Sequence, residues 1–257
     1  MTDAFEIDHL SYAVPARRLL EDVTLRLPAG RVIGLIGHNG SGKSTLLKLL
    51  ARQIKATAGH IRLDGKPLTT WPNRAFARRL AYLPQHLPPA EGLLVRELAA
   101  LGRYPWHGAL GRPGPADHAA IEAALVACAL GSLADRRVAT LSGGEAQRAW
   151  LAMLIAQEAG VLLLDEPISA LDITHQIEVL RLVQRLSHRQ DRTVILVLHD
   201  LNMAARFCDH IVALRGGRLA YEGPPDALMT RGMLHRVYGT GMEVLTRADG
   251  TPVALPD

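Results

Sequence analysis

Apolar and polar residues alternate along Phe5-Glu6-Ile7-Asp8-His9-Leu10-Ser11-Tyr12 and again along Val23-Thr24-Leu25-Arg26-Leu27. A period of two puts one face of a strand on a core and the other toward water. The chain therefore opens with two half-buried strands, the second closed by the turn residues Pro28-Ala29-Gly30. Three later runs lack the polar positions: Val32-Ile33-Gly34-Leu35-Ile36, Val161-Leu162-Leu163-Leu164 and Thr193-Val194-Ile195-Leu196-Val197-Leu198. Continuous apolar runs of strand length belong to strands covered on both faces, the environment of a parallel sheet in an α/β protein. Arg78 to Gln85 predicts one more buried strand, and Gly59 to Leu68 a strand ending in an Asp64-Gly65 turn.

From about Leu87 the pattern turns helical. Leu93 to Leu101, Asp117 to Leu130 and Glu145 to Glu158 have helical spacing with no strand between them, which predicts an inserted α-helical subdomain over residues 87–158. The core of a single domain then occupies residues 1–86 and 159–230, with a tail over 231–257. A helix is expected over Leu201 to Cys208, a strand pair at Ile211 to Leu214 and Arg218 to Tyr221 about Gly216-Gly217, and a short helix near Pro225 to Met229; beyond Tyr238 the pattern is weak. Within the insertion, Gly102 to Pro115 is a Gly/Pro-punctuated loop carrying Arg103, Tyr104 and Trp106. Two readings stand for it: an interface, whose hot spots favour Trp, Tyr and Arg, or a loop packed on its own aromatics.

The run Val32 to Ile36 leads into Gly37-His38-Asn39-Gly40-Ser41-Gly42-Lys43-Ser44-Thr45, and Leu46-Leu47-Lys48-Leu49-Leu50 follows at helical spacing. This is Gly, four residues, Gly-Lys-Ser between a buried strand and a helix N-terminus, the context a phosphate-binding loop requires. Its glycines let backbone N–H groups converge on phosphates; Lys43 is expected at the β- and γ-phosphates of ATP, and Ser44 on Mg²⁺. The run Val161 to Leu164 ends on Asp165-Glu166. Two acids closing a buried strand are costly without a cation nearby, so Asp165 is assigned to Mg²⁺ through water and Glu166 to the base that polarises the hydrolytic water.

Other positions carry two readings each. Gln85, at a strand end, meets Mg²⁺ or the attacking water, or is an ordinary loop residue. Ser142-Gly143-Gly144-Glu145 is a capping box, or a second helix end open to an anion. His199 closes the run Thr193 to Leu198, either as a core histidine or at the γ-phosphate. Tyr12 lies over a bound base or over the core.

Composition narrows the partners. Of 257 residues, 48% are hydrophobic and 21% charged, which is enough to bury a core without staples; the two cysteines, Cys128 and Cys208, read as buried small hydrophobes in a reducing compartment. Apolar runs fall short of the roughly 18 to 20 residues that span a bilayer, so a soluble, cytoplasmic protein is expected. The net charge of +4 is spread over pairs such as Arg17-Arg18 and Arg136-Arg137 without aromatic interleaving, which argues against nucleic acid and is compatible with a surface near anionic lipid.

The ordered set of phosphate loop, Gln85, Leu141-Ser142-Gly143-Gly144-Glu145, Leu162 to Glu166, Ser169-Ala170-Leu171-Asp172 and His199 resembles the nucleotide-binding subunit of ABC transporters over about residues 5 to 230. The resemblance implies a P-loop NTPase core with an antiparallel β subdomain and the helical insertion. It implies Tyr12 stacked on adenine, Glu166 as catalytic base with Gln85 and His199 beside it, and Asp172 among the nucleotide-binding residues. It also implies a homodimer in which Ser142 to Glu145 contact ATP held by the second copy. Ile168 departs from the family's usual Thr and is expected to alter local packing only. Gly102 to Arg112, Gln147 to Gln157 and His199 to Asp209 resemble ferric-siderophore importers, closest to the ferric-hydroxamate type, with haem and vitamin B12 importers sharing parts of the pattern. The implied partners are a membrane permease and, indirectly, a substrate-binding protein, with this subunit on the cytoplasmic face of the inner membrane. A small-molecule kinase would not need Leu141 to Glu145, a GTPase would carry an Asn-Lys-x-Asp base reader, and nucleic-acid ABC proteins carry coiled coils or a second cassette for which this chain has no room.

Overall fold

The computed structural model describes residues 2–15, 17–108, 111–169, 171–248 and 250–257. In chain order the elements are β1 (Asp3–Val14), β2 (Arg17–Pro28), β3 (Val32–Ile36), α1 (Lys43–Leu50), β4 (Ala58–Leu63), β5 (Lys66–Pro67), α2 (Asn73–Arg79), β6 (Leu80–Leu83), α3 (Val95–Leu101), α4 (Tyr104–His107), α5 (Pro115–Ala127), α6 (Gly143–Ala156) and β7 (Val161–Leu164). They continue with α7 (Ile173–Gln190), β8 (Thr193–Val197), α8 (Leu201–Phe207), β9 (His210–Arg215), β10 (Arg218–Gly223), α9 (Pro225–Leu228), α10 (Arg231–Tyr238), β11 (Met242–Thr246) and β12 (Pro252–Pro256). The chain divides into two compact units, Met1–Trp71 with Ser187–Asp257, and Pro72–Leu186.

The first unit holds an antiparallel sheet in the order β2-β1-β4-β5 and a group in which β3 lies between parallel neighbours β8 and β9, with β10 antiparallel to β9. The period of two is realised on β1: Phe5, Ile7 and Leu10 are fully buried. Asp8 of the same strand pairs with Arg26 at 2.8 Å. That hydrogen bond lowers the Asp8 pKa. Every residue of β3 is buried, as its unbroken apolar run requires. Gly34 is needed there because a Cβ would stand 2.8 Å from Cys208 Sγ. Asp64 (φ 51°) and Gly65 (φ 71°) make the β4–β5 turn, and Gly216 and Gly217 (φ 56° and 80°) the β9–β10 turn, both with the paired positive φ that tight hairpins favour.

The second unit pairs β6 and β7 in parallel, Leu80 opposite Val161 and Leu83 opposite Leu164. Helices α3, α5 and α6 pack on one another, and α6 also reaches β6. Both cysteines are free and buried, and burial pushes the Cys128 thiol up to about 12.

Several boundaries move. Arg78 and Arg79 end α2 instead of opening a strand, because Leu80 is the first residue paired with β7. The expected loop from Gly102 to Pro115 contains the one-turn helix α4; its Ala109 and Leu110 lie outside the described residues. Helices α2, α7 and α10 are additional to those the sequence predicts. In α7 the buried residues Val179, Leu180, Leu182, Val183 and Leu186 recur at helical spacing. The weakly patterned tail is ordered as α10 followed by the β11–β12 hairpin.

Candidate functional site

The phosphate loop is built as its sequence demands. Gly37, Gly40 and Gly42 have φ of 135°, 77° and 106°, a region that disfavours side chains. A Cβ on Gly37 would stand 2.1 Å from the Leu214 carbonyl oxygen, and one on Gly42 2.6 Å from Leu20 Cδ2. Lys43, the first residue of α1, is 5% exposed. Its ammonium donates to the carbonyls of Gly37 at 2.8 Å and His38 at 3.0 Å, which holds it over the loop. Ser41 Oγ, beside Gly37, is buried with no hydrogen-bond partner among the described residues. His38, Asn39 and Gly40 are exposed, while Ser44 and Thr45 are half-buried behind them.

Neighbouring elements fix this loop. Arg17 of β2 donates to the Gly40 carbonyl at 3.3 Å, and the Gly217 N–H to the Ser41 carbonyl at 3.1 Å. Neither residue was expected from sequence, since both come from turns or strand ends without a motif. Tyr12 is half-buried on β1 opposite Leu20, the residue that lies against Gly42. His199 is exposed in the turn after β8. The register Leu35 opposite Val197 places that turn at the same end of the strand pair as the loop after β3.

In the second unit the register of β6 and β7 likewise sends Gln85 and the acid pair out at one end. Gln85 is exposed; Asp165 is 1% exposed, its N–H donating to the Leu83 carbonyl at 2.9 Å. Burial, with the Asp165 carboxylate as the lesser cause, pushes the Tyr82 hydroxyl up to about 12. Glu166 is half-buried with φ 54°, a left-handed conformation that a non-glycine residue adopts at a cost of about 1–3 kcal/mol and that is concentrated at active sites. Ser142 is both cap and exposed helix end: its Oγ accepts from Glu145 N–H at 3.3 Å, and Glu145 Oε2 accepts from Ser142 N–H at 2.8 Å. That backbone bond, then the Ser142 hydroxyl, lowers the Glu145 pKa. Ser142, Gly144, Glu145, Arg148, Leu171, Asp172 and His175 line a cleft of about 290 Å³. Asp172 caps α7 by accepting from His175 N–H at 3.0 Å and meets the His175 ring at 2.8 Å, and the backbone bond is the larger cause of its lowered pKa. Of the Ser169 to Asp172 stretch, Ala170 lies outside the described residues.

The interface reading of the Gly102 to Pro115 segment is corrected at two of its three residues. Arg103 is 4% exposed, bonded to Asp117 at 2.8 Å, Glu158 at 2.6 Å and the Ala156 carbonyl at 2.8 Å. Trp106 donates to the Gln157 carbonyl at 2.8 Å, with the guanidinium groups of Arg78 and Arg103 each 4.9 Å from its ring centre. These two hold the helices; Tyr104 alone is exposed, at 56%. Arg103→Ala is expected to destabilise the protein by about 3–5 kcal/mol because Asp117 is left half-satisfied. Tyr104→Ala is expected to leave the unfolding midpoint within error, and denaturant titration of both variants checks the contrast.

The family model described as ABC transporter matches residues 20–169, more than half of the chain. The chain belongs to the ABC transporter family. Known relatives of this ABC ATPase include the iron(3+)-hydroxamate import ATP-binding protein FhuC of Bacillus subtilis, 38% identical over 95% of this chain and 91% of the relative. The hemin import ATP-binding protein HmuV of Nocardia farcinica is 44% identical over 94% and 83%. A solved structure, described as a metal-chelate type ABC transporter in an inward-facing conformation, superposes with TM-score 0.85 at 25% identity, covering 99% of this chain and 98% of that one. The fold class expected from sequence is therefore that of the protein: an α/β P-loop ATPase with an antiparallel sheet and a helical segment.

Proposed function

We propose that this ABC ATPase energises import of an iron chelate through a separate membrane permease, with ferric hydroxamate as the substrate class. What carries the reading is similarity to iron-chelate import subunits along nearly the whole chain. The still higher identity to a hemin import subunit favours haem as the second reading. Among the described residues no helix is long and apolar enough to cross a membrane, in keeping with a subunit held peripherally on the cytoplasmic face by its permease and working with a substrate-binding protein on the far side.

In this reading ATP lies along the α1 N-terminus, with Tyr12 against adenine and backbone N–H groups of Gly37 to Thr45 on the phosphates. Lys43 supplies the point charge at the β- and γ-phosphates. Mg²⁺ fits the donors assigned to it, the Ser44 hydroxyl, the Gln85 amide oxygen and the buried Asp165 carboxylate, which are all hard oxygens. The cation when bound neutralises phosphate charge. Glu166 takes the proton of the attacking water, Gln85 orients that water, and His199 meets the γ-phosphate. Ser142 to Glu145, with Asp172, close on ATP held by a second copy, so ATP promotes a homodimer with two composite sites. The exposed Tyr104 faces the permease.

Two experiments test this. Lys43→Ala and Ser142→Arg subunits, each inactive alone, are expected to regain hydrolysis when mixed, because a heterodimer keeps one composite site; absence of recovery in co-purified heterodimer refutes the pairing. Uptake of labelled ferric hydroxamate, ferric catecholate and haem by cells carrying this subunit with its permease decides the substrate, and transport of haem alone would replace the hydroxamate reading with the second.

A further inference from the structure

The C-terminal segment is tied to the rest of the first unit at two points of interest, one on the phosphate loop and one on α8. At the first, His38 Nε2 of the phosphate loop donates to the Tyr238 carbonyl at 2.5 Å, with the two rings edge to face at 5.3 Å. Arg215 Nη1 donates to the Arg236 carbonyl at 2.6 Å and holds the same end of α10. At the second, the Asn202 side chain makes both bonds of a strand-like pair with Ala254 in β12: Nδ2 donates to its carbonyl at 3.1 Å, and its N–H donates to Oδ1 at 2.8 Å. Asn202 lies in α8, three residues beyond His199, and the N-cap of α8 is Asp200, which accepts from Met203 N–H at 2.9 Å.

That second tie stands beside open space. Asn202 itself lines a cleft of about 240 Å³ together with Asp200, Met203, Arg206, Arg247 and Val253. Ala254 is the buried residue of β12, while Leu245 and Leu255 are 45% and 43% exposed. A lone two-stranded hairpin is marginal in water. It stays in place through an anchor, and the anchor passes the constraint back to α8.

We propose that Asn202 is a positioning residue: through Ala254 the C-terminal hairpin fixes the start of α8 and so aims His199, while α10 fixes His38 on the phosphate loop. This rests on the reading that His199 meets the γ-phosphate. One segment, residues 231–257, thereby braces both turns read as phosphate contacts, in addition to the β3–β8 pairing that sets them side by side. A misplacement of the order of 1 Å in such a group is enough to slow the chemical step substantially.

The test uses the full-length chain with Asn202→Ala and, from the hairpin side, Ala254→Pro, which removes the N–H donor on the edge of β12 that bonds Asn202. Both are expected to lower kcat for MgATP by about tenfold with KM within about twofold, since the effect falls on geometry and spares the loop. Amide exchange over residues 199–203 is expected to quicken together with that of the hairpin. In a His199→Ala background Asn202→Ala is expected to add nothing. Exchange that quickens in the hairpin while 199–203 keeps its wild-type protection overturns the proposal, whatever His199 does. Quickened exchange over 199–203 with wild-type turnover in His199→Ala itself also overturns the positioning role, and assigns the failure to the reading of His199, the tie being intact.

Discussion

Glu166→Gln is expected to bind MgATP near wild-type affinity and hydrolyse it at least ~10²-fold more slowly, the scale on which loss of a general base acts. The substitution is isosteric, so the left-handed backbone at this position (φ 54°) and the packing of the half-buried side chain are retained while the proton acceptor is lost. Binding is expected to be spared because, on the proposed reading, the phosphates sit on the loop from Gly37 to Thr45. Steady-state phosphate release and equilibrium binding of a fluorescent ATP analogue measure the two effects separately. Unchanged hydrolysis moves the base elsewhere, with His199 next in line.

Lys43→Ala is expected to lose hydrolysis almost completely and to weaken nucleotide binding. Two things go at once. The β- and γ-phosphates lose their point charge, and the carbonyls of Gly37 and His38, which accept from this ammonium at 2.8 and 3.0 Å, lose the donor that draws the loop together. Lys43→Arg is expected to fare little better. The side chain is 5% exposed, and a guanidinium fork does not fit a space shaped for a compact ammonium. Isothermal titration with MgATP and a turnover assay check both variants, and wild-type turnover in either sinks the assignment of the loop.

The sequence by itself determined the parts whose signal is local. The alternation in β1, the unbroken run in β3 and the Gly-Lys-Ser run each constrain their own backbone, because burial on one or two faces and positive φ are set within a few residues. The glycines of the phosphate loop were legible for that reason, and so was the strand end that delivers Asp165 and Glu166. The helical period of α7 is equally local, but its polar residues His175, Gln176 and Glu178 obscure the stripe that begins at Val179.

Only the tertiary structure decided where a residue faced when its partner lies far along the chain. Arg103, Tyr104 and Trp106 have one composition and two fates: the partners that hold Arg103 and Trp106 are Asp117, Gln157 and Glu158, and an interface and a packed loop draw on the same side chains. The tail gave no period because β11 and β12 bury little of their own surface, and one of the ties that hold them is a side-chain amide 52 residues upstream of Ala254. Local pattern reports the burial of an element on its own neighbours, and a contact made by one long-range hydrogen-bonded pair leaves no periodic trace in the sequence.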